Sequence, residues 1–201
     1  MARSWFGPSR KEMWRQLSTE ISARYVEGTF WKGDKVQATH GEWTITLDSY
    51  VVSTGKTVVV FTRMRAPFVN PEAFRFTVYR KGFFSDLGKW FGMQDIEIGD
   101  AVFDDEFIIK GTDEIRIRTL LSNTRIRDLM ARQPQIQFSV KDDEGYFGPR
   151  FPEGADELYF SVVGIIKDVE RLKLLYELFS ETLDELCRMG AAYKQPPDVA
   201  L

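Results

Sequence analysis

The chain has 201 residues, is 43% hydrophobic and 28% charged, and carries a formal net charge of −3. That length suits a single α+β domain over 1–201, with a core that needs neither disulfides nor metal. The slight acidity excludes a global basic field for nucleic acid, and a lone cysteine, Cys187, excludes a disulfide framework and fits a reducing compartment.

The N-terminal MARSWFGPSRKEMW lacks the apolar centre of a signal peptide, and no run approaches the roughly 18 apolar residues of a membrane span. The expected setting is therefore the cytoplasm of a bacterial cell. Ser9-Arg10-Lys11-Glu12 has the spacing of a capping box. Met13, Trp14, Leu17, Ile21 and Tyr25 then recur on one helical stripe, which predicts a helix ended by Gly28 and Gly33.

From Trp43 the period becomes two. Trp43, Ile45 and Leu47 alternate with Thr44, Thr46 and Asp48, a strand buried on one face. Ser53-Thr54-Gly55-Lys56-Thr57 resembles a phosphate loop, but Tyr50 stands where its first glycine belongs and β-branched Val58-Val59-Val60 follows instead of a helix. A hairpin turn is the expectation there. Pro67 and Pro71 are expected to bracket a loop, and Phe74, Phe76 and Val78 to form a third strand of an antiparallel meander. Phe83, Phe84, Leu87, Trp90 and Phe91 predict a short amphipathic helix ended by Gly92.

The stretch Phe103 to Arg132 is balanced in charge. It predicts a strand through Phe107 and Ile109, a glycine turn at Gly111, and a helical region capped by Thr112. On one unbroken helix Ile117, Leu120 and Leu121 would oppose Ile126, Leu129 and Met130. Ser122 and Asn123 lie between the two sets and predict a break into two short helices. Arg118, Arg125 and Arg132 recur every seven residues. With Arg116 and Arg127 they form the candidate site for an anionic ligand or the acidic face of a partner. The ordinary reading is a salt-bridged surface, since Asp113, Glu114 and Asp128 lie at ion-pair spacings.

Beyond Pro134, Ile136, Phe138 and Val140 mark another strand. Lys141 to Glu157 is a turn-rich acidic interval with an expected mobile tip and a short strand at Tyr146-Phe147. Leu158, Phe160 and Val162 mark the next strand. Asp168 caps the longest helix, with Val169, Leu172, Leu175, Tyr176, Phe179, Leu183 and Leu186 in one stripe. The remainder, 191–201, reads as a flexible tail. The fold class is thus α+β, a largely antiparallel sheet covered by helices with a long C-terminal helix. Two diverged helix-plus-meander halves, 1–98 and 99–190, are a further reading of the same order.

FDDEFIIKGTDEIRIRTLLSNTRIRDLM, then a polar–apolar strand, then ELYFSVV and a long helix ending near LDEL, resembles an uncharacterised bacterial family over residues 95–187. That family shares a phenylalanine-bounded strand, an acid before a helix, a leucine-rich helix with a polar break, and two later strands. Its members often carry membrane spans, which are missing here. The resemblance implies a fold, and it carries over no functional residue.

No reactive constellation is legible. His40 is the single histidine and sits beside Gly41 in an apparent turn, and Cys187 has no evident base nearby. Histidine-rich or cysteine-rich metal sites are excluded by count. Asp104-Asp105-Glu106 with Asp142-Asp143-Glu144 could ligate a hard cation but lack calcium-loop spacing, so no metal and no cofactor is expected. The leading expectation is a non-enzymatic binding or interaction protein that forms a homodimer or docks a protein through the C-terminal helix or a sheet edge. The alternative is a small apolar-ligand, lipid-like binder with a cavity between the 16-phenylalanine scaffold and the Leu172–Leu186 helix. A third is an enzyme using arginine and carboxylates.

Overall fold

The structure, a computed structural model, describes residues 8–29, 33–53, 55–82, 94–142, 151–197, 199 and 201. The expected helix at 83–92, the tip of the acidic interval and Tyr146-Phe147 lie outside them. The first half contributes α1 (Arg10–Glu20), β1 (Arg24–Val26), β2 (Lys35–His40), β3 (Trp43–Ser53), β4 (Val58–Val69), β5 (Phe76–Arg80) and β6 (Gln94–Asp95). The second contributes α2 (Ala101–Glu106), β7 (Phe107–Gly111), α3 (Glu114–Ser122), α4 (Thr124–Ala131), β8 (Gln137–Lys141), β9 (Ala155–Val163) and α5 (Val169–Arg188).

These strands join one sheet in the order β1-β2-β3-β4-β9-β8-β5-β7-β6, and every adjacent pair is antiparallel. The α+β class with a long C-terminal helix is as read from the sequence, but the meander stops at β4. That strand pairs with β9, and β5 sits beyond it between β8 and β7.

Side-chain alternation decides which face is dry. Trp43, Ile45 and Leu47 of β3, Met64, Ala66 and Phe68 of β4, Phe138 and Val140 of β8, and Leu158 and Phe160 of β9 point to one side and are buried in a single cluster with the helices. On that side α5 lies between α1 and the α3–α4 pair. Phe138 is the hinge of the packing, with its ring centroid 5.9 Å from Phe76 and 5.3 Å, edge-on, from Phe179 of α5. Two buried polar tips tie the helices down. Tyr176 Oη donates to the Val36 carbonyl at 2.9 Å and Trp14 Nε1 to the Ile166 carbonyl at 3.4 Å.

Several local expectations hold. Ser9 and Glu12 close a reciprocal capping box. Asn123 is both the last cap of α3 and the first cap of α4, its side chain accepting from Arg125 N and Ile126 N. The break turns Ile117, Leu120, Leu121, Ile126, Leu129 and Met130 all inward. Asn123 Nδ2 also donates to Glu185 of α5 at 3.3 Å. Ser53 pairs with Val58, so the Gly55-Lys56 segment is a hairpin turn.

Others are corrected. The first helix stops at Glu20, because Ser22 takes a left-handed φ of 54° and Tyr25 then enters β1. Pro67 lies inside β4 opposite Glu157, two residues past the point where β3 stops pairing at Thr46 and Arg65. A strand tolerates proline on a side with no ladder partner. Asp104-Asp105-Glu106 falls in α2. Asp113, rather than Thr112, caps α3, while the Thr112 hydroxyl bonds the Arg75 backbone. Gly111 ends β7 in close packing: an added Cβ would lie 2.9 Å from the Arg75 carbonyl oxygen. The segment after α5 begins docked, with Ala191 and Ala192 buried and Tyr193 N donating to the Val69 carbonyl at 3.2 Å.

Removing the hinge ring should be severe. Phe138→Ala is expected to lower the unfolding free energy by about 3–5 kcal/mol, read as a lower urea midpoint at unchanged slope. Asn123→Ala should cost about 1–2 kcal/mol through the lost cap; an unchanged midpoint would show that the break needs no cap.

Candidate functional site

The five arginines are not assembled into a row. The seven-residue spacing aligns Arg118, Arg125 and Arg132 only on an unbroken helix, and Asn123 divides it. Arg116 pairs with Glu72 and Asp113, Arg118 with Glu114, and Arg125 with Glu177 of α5. Arg127 donates to the Leu121 carbonyl and approaches Asp100 at 3.4 Å, while Arg132 is exposed at the end of α4. Arg116, Arg125 and Arg127 tie their helices to a carboxylate or carbonyl outside them, whereas Arg118–Glu114 is a pair within α3.

His40 projects from the end of β2 toward α5, where Nε2 lies 3.0 Å from Asp184 and the ring stacks on Trp43 at 6.1 Å. The pair is open to solvent, with 34% and 53% of the two side chains exposed. Burial pushes the Cys187 thiol up, away from thiolate character, and Asp184 adds to that push against a pull from Lys194. Asp104 accepts from the backbone of Ile98 and Gly99, each at 2.9 Å, and Asp142 pairs with Arg75. Among the described residues no group of three or more acidic, histidine or cysteine side chains could hold a metal ion.

The unusual chemistry lies on the sheet face turned away from the helices. A polar row follows the strand register across it: Lys110, Thr77 and Ser139, then Tyr159 and Arg65, then Thr46 and Gln37. The inner five of these are buried, although none is an aliphatic residue. Asp48 takes a two-pronged contact from Arg63, both bonds 2.9 Å, and a third from Arg65 at 2.8 Å. The Thr77 and Ser139 hydroxyls, directly opposite each other, are buried without a hydrogen-bond partner. Sequence alternation marked these positions as the face away from the core but gave no sign that they would be covered.

A pocket of about 270 Å³ opens at the Thr46–Gln37 end of this row. One wall is polar, made of Gln37, Glu42, Thr44 and Thr46 on β2, β3 and their turn. The facing wall is apolar, with Pro67 of β4 and then Pro196, Pro197, Val199 and Leu201 from the segment after α5. Within the polar wall, Gln37 Nε2 makes a long 3.5 Å bond to Thr46 Oγ1. By contrast, the described residues between α5 and the sheet are closely packed: Phe76, Phe138, Phe160, Phe179, Leu175 and Leu183 there are at most 1% exposed.

These features define a one-sided antiparallel sheet with its helices stacked on the dry face and a polar, pocketed outer face. No family model matches the chain, and no curated protein does. Among solved structures the fold is similar to the crystal structure of the mycobacterial trehalose monomycolate transport factor A, TtfA, with a TM-score of 0.55 at 8% identity. The similarity covers 95% of this chain and 98% of that one, so it is a likeness of the whole fold.

One buried acid gives a pH test. Asp156, 4% exposed, accepts from Asn70 Nδ2 at 2.5 Å and lies 3.6 Å from Arg75 Nε. Burial raises its pKa above the ordinary carboxylate value despite the lowering by Asn70 and Arg75. The folded state therefore binds this proton more tightly than the unfolded chain. The stabilisation is complete below the unfolded pKa and disappears as pH rises through the folded one. Asp156→Asn keeps an acceptor for Asn70 and removes the charge. Its melting temperature at pH 7 is expected to equal or exceed that of the parent, with the difference closing on acidification. A variant that melts lower at pH 7 would mean that the Arg75 ion pair outweighs the cost of burying the carboxylate.

Proposed function

We propose that this chain is a non-catalytic binding protein that works through its outer surfaces and holds nothing inside its sheet–helix layer. The observation that carries this reading is the packed interior: the ring contacts joining Phe76, Phe138 and Phe179 fill the volume that an enclosed apolar ligand would need. The isolated His40–Asp184 pair and the raised Cys187 thiol favour binding over catalysis. Four of the five arginines are engaged in the fold's own contacts, which moves the candidate working surface from α3–α4 to the pocket at the β2–β3 end of the outer face.

The second reading is a lipid-like ligand. It is favoured by the name of the similar structure, which assigns that protein to the transport of trehalose monomycolate. In this chain the space with both polar and apolar walls is the outer pocket, so an amphiphile would be held there by one end. No helix among the described residues is long and apolar enough to cross a membrane.

Native mass spectrometry of gently purified protein separates the two. The packed interior predicts the mass of the bare chain. An acyl-chain-sized adduct that leaves only on unfolding would favour the second reading and replace the binding-surface reading with a carrier.

A further inference from the structure

We propose that the outer pocket is a binding site for a neutral saccharide, with Pro67, Pro196, Pro197, Val199 and Leu201 as the apolar wall on which the sugar lies. This rests on the reading of the chain as a binding protein and names the class of ligand its outer face takes.

The lining selects the class. Among the described side chains that line the pocket, Glu42 is the one ionisable group, so a phosphate, carboxylate or sulfate would meet a like charge there. The polar wall offers the Glu42 carboxylate, which only accepts, the Gln37 amide, which donates and accepts, and the exposed Thr44 hydroxyl, which does either, with Thr46 buried behind them. A ligand rich in hydroxyls matches such a set, because each of its own groups is donor and acceptor at once. A purely apolar ligand would strand those groups without water, which is unfavourable. The facing wall of three proline rings with Val199 and Leu201 suits the flat C–H face of a pyranose and has few polar groups of its own.

The walls are held by the fold. Thr44 and Thr46 alternate outward from β3 because Trp43, Ile45 and Leu47 are buried beneath them. Gln37 is fixed opposite Thr46 by the β2–β3 register. Pro67 is kept in line by β9 through its pairing with Glu157. The opposite wall is tethered where Tyr193 N bonds the Val69 carbonyl, one strand end away.

Two sources share this chemistry, a free sugar and the sugar end of a glycolipid. The test titrates the full chain with methyl glucoside, with octyl glucoside below its micelle-forming concentration, and with glucose 6-phosphate, followed by backbone amide NMR shifts. The expected result is a Kd on the order of 1 mM or tighter for the neutral glycosides. Shifts should be confined to Gln37, Glu42, Thr44, Thr46 and Val199. Glucose 6-phosphate should bind at least about tenfold more weakly. Tighter binding of octyl glucoside would assign the site to a lipid-linked sugar, and equal binding to a free one. Thr44→Val, at the exposed hydroxyl of this wall, should weaken binding about fivefold or more with an unchanged melting temperature.

Three results overturn the site: no shift with either glycoside, equal binding of glucose 6-phosphate, or shifts located elsewhere. If the native mass is that of the bare chain and no saccharide binds, the binding-protein reading stands and this pocket is removed from it. If an acyl-sized mass is retained and saccharide shifts still map to the β2–β4 face, the carrier and the saccharide site coexist.

Discussion

The structure depends on covering one face of a wide sheet. Nine strands about 4.8 Å apart span roughly 40 Å, and one helix covers about 10 Å of that width. The twenty-residue α5 therefore cannot dry the sheet alone, and α1 and the α3–α4 pair flank it on either side. This arrangement fixes the demands on each helix. The stripe of α5 must be continuous, since it meets the sheet below and helices at both flanks. Leu172, Leu175, Leu178, Phe179, Leu183 and Leu186 are accordingly all fully buried. The α3–α4 segment must bend to stay on the sheet, and Asn123 bends it while bonding Glu185 of α5.

Stacking α1, α3, α4 and α5 on one side has a consequence for the other. The outer face keeps the polar half of each strand's alternation, yet Thr46, Arg65, Thr77, Ser139 and Tyr159 are buried there. Burying such groups is unfavourable unless they are paired. Asp48 with Arg63 and Arg65 satisfies part of that demand, while the Thr77 and Ser139 hydroxyls do not. The interior is tightly packed, and unsatisfied buried polar atoms occur on both sides of the sheet, Trp43 Nε1 and Thr182 Oγ1 beneath the helices and Thr77 and Ser139 on the outer face.

Periodicity made the dry face legible. Alternation named Trp43, Ile45, Leu47, Phe138 and Phe160, and the conflict between the Ile117 and Ile126 sets, with the capping residues Ser122 and Asn123 between them, pointed to the break that Asn123 makes. Strand order was not legible, because pairing β4 with β9 is a contact over about a hundred residues that no local pattern encodes. Pro67 misled because proline excludes a strand only where a ladder needs its N–H, and here β3 has already stopped pairing. The arginine row misled for a related reason: a seven-residue spacing implies a shared face only if the helix is continuous. The outer pocket left no signal at all, since its polar wall and Pro196 and Pro197 facing it are about 150 residues apart in the chain and each is ordinary by itself. Thr44 and Thr46 read as a solvated strand face, and Pro196 and Pro197 as a loose end.

Those two walls also show why the pocket belongs to the architecture. After Gly190, with φ of 73°, the chain leaves α5 and buries Ala191 and Ala192 against the core, their amides bonding the Leu186 carbonyl at 2.9 and 3.1 Å. Tyr193 then bridges to the end of β4, and the chain reaches the face opposite the one it left. A segment that merely trailed from the helix would not bury two alanines before its turn. The prolines at 196 and 197 restrict the backbone beyond that anchor and reduce the entropy lost in holding it over the sheet. The same segment therefore closes the dry side with small residues and frames the polar side with rings, linking the packed core to the surface proposed for recognition.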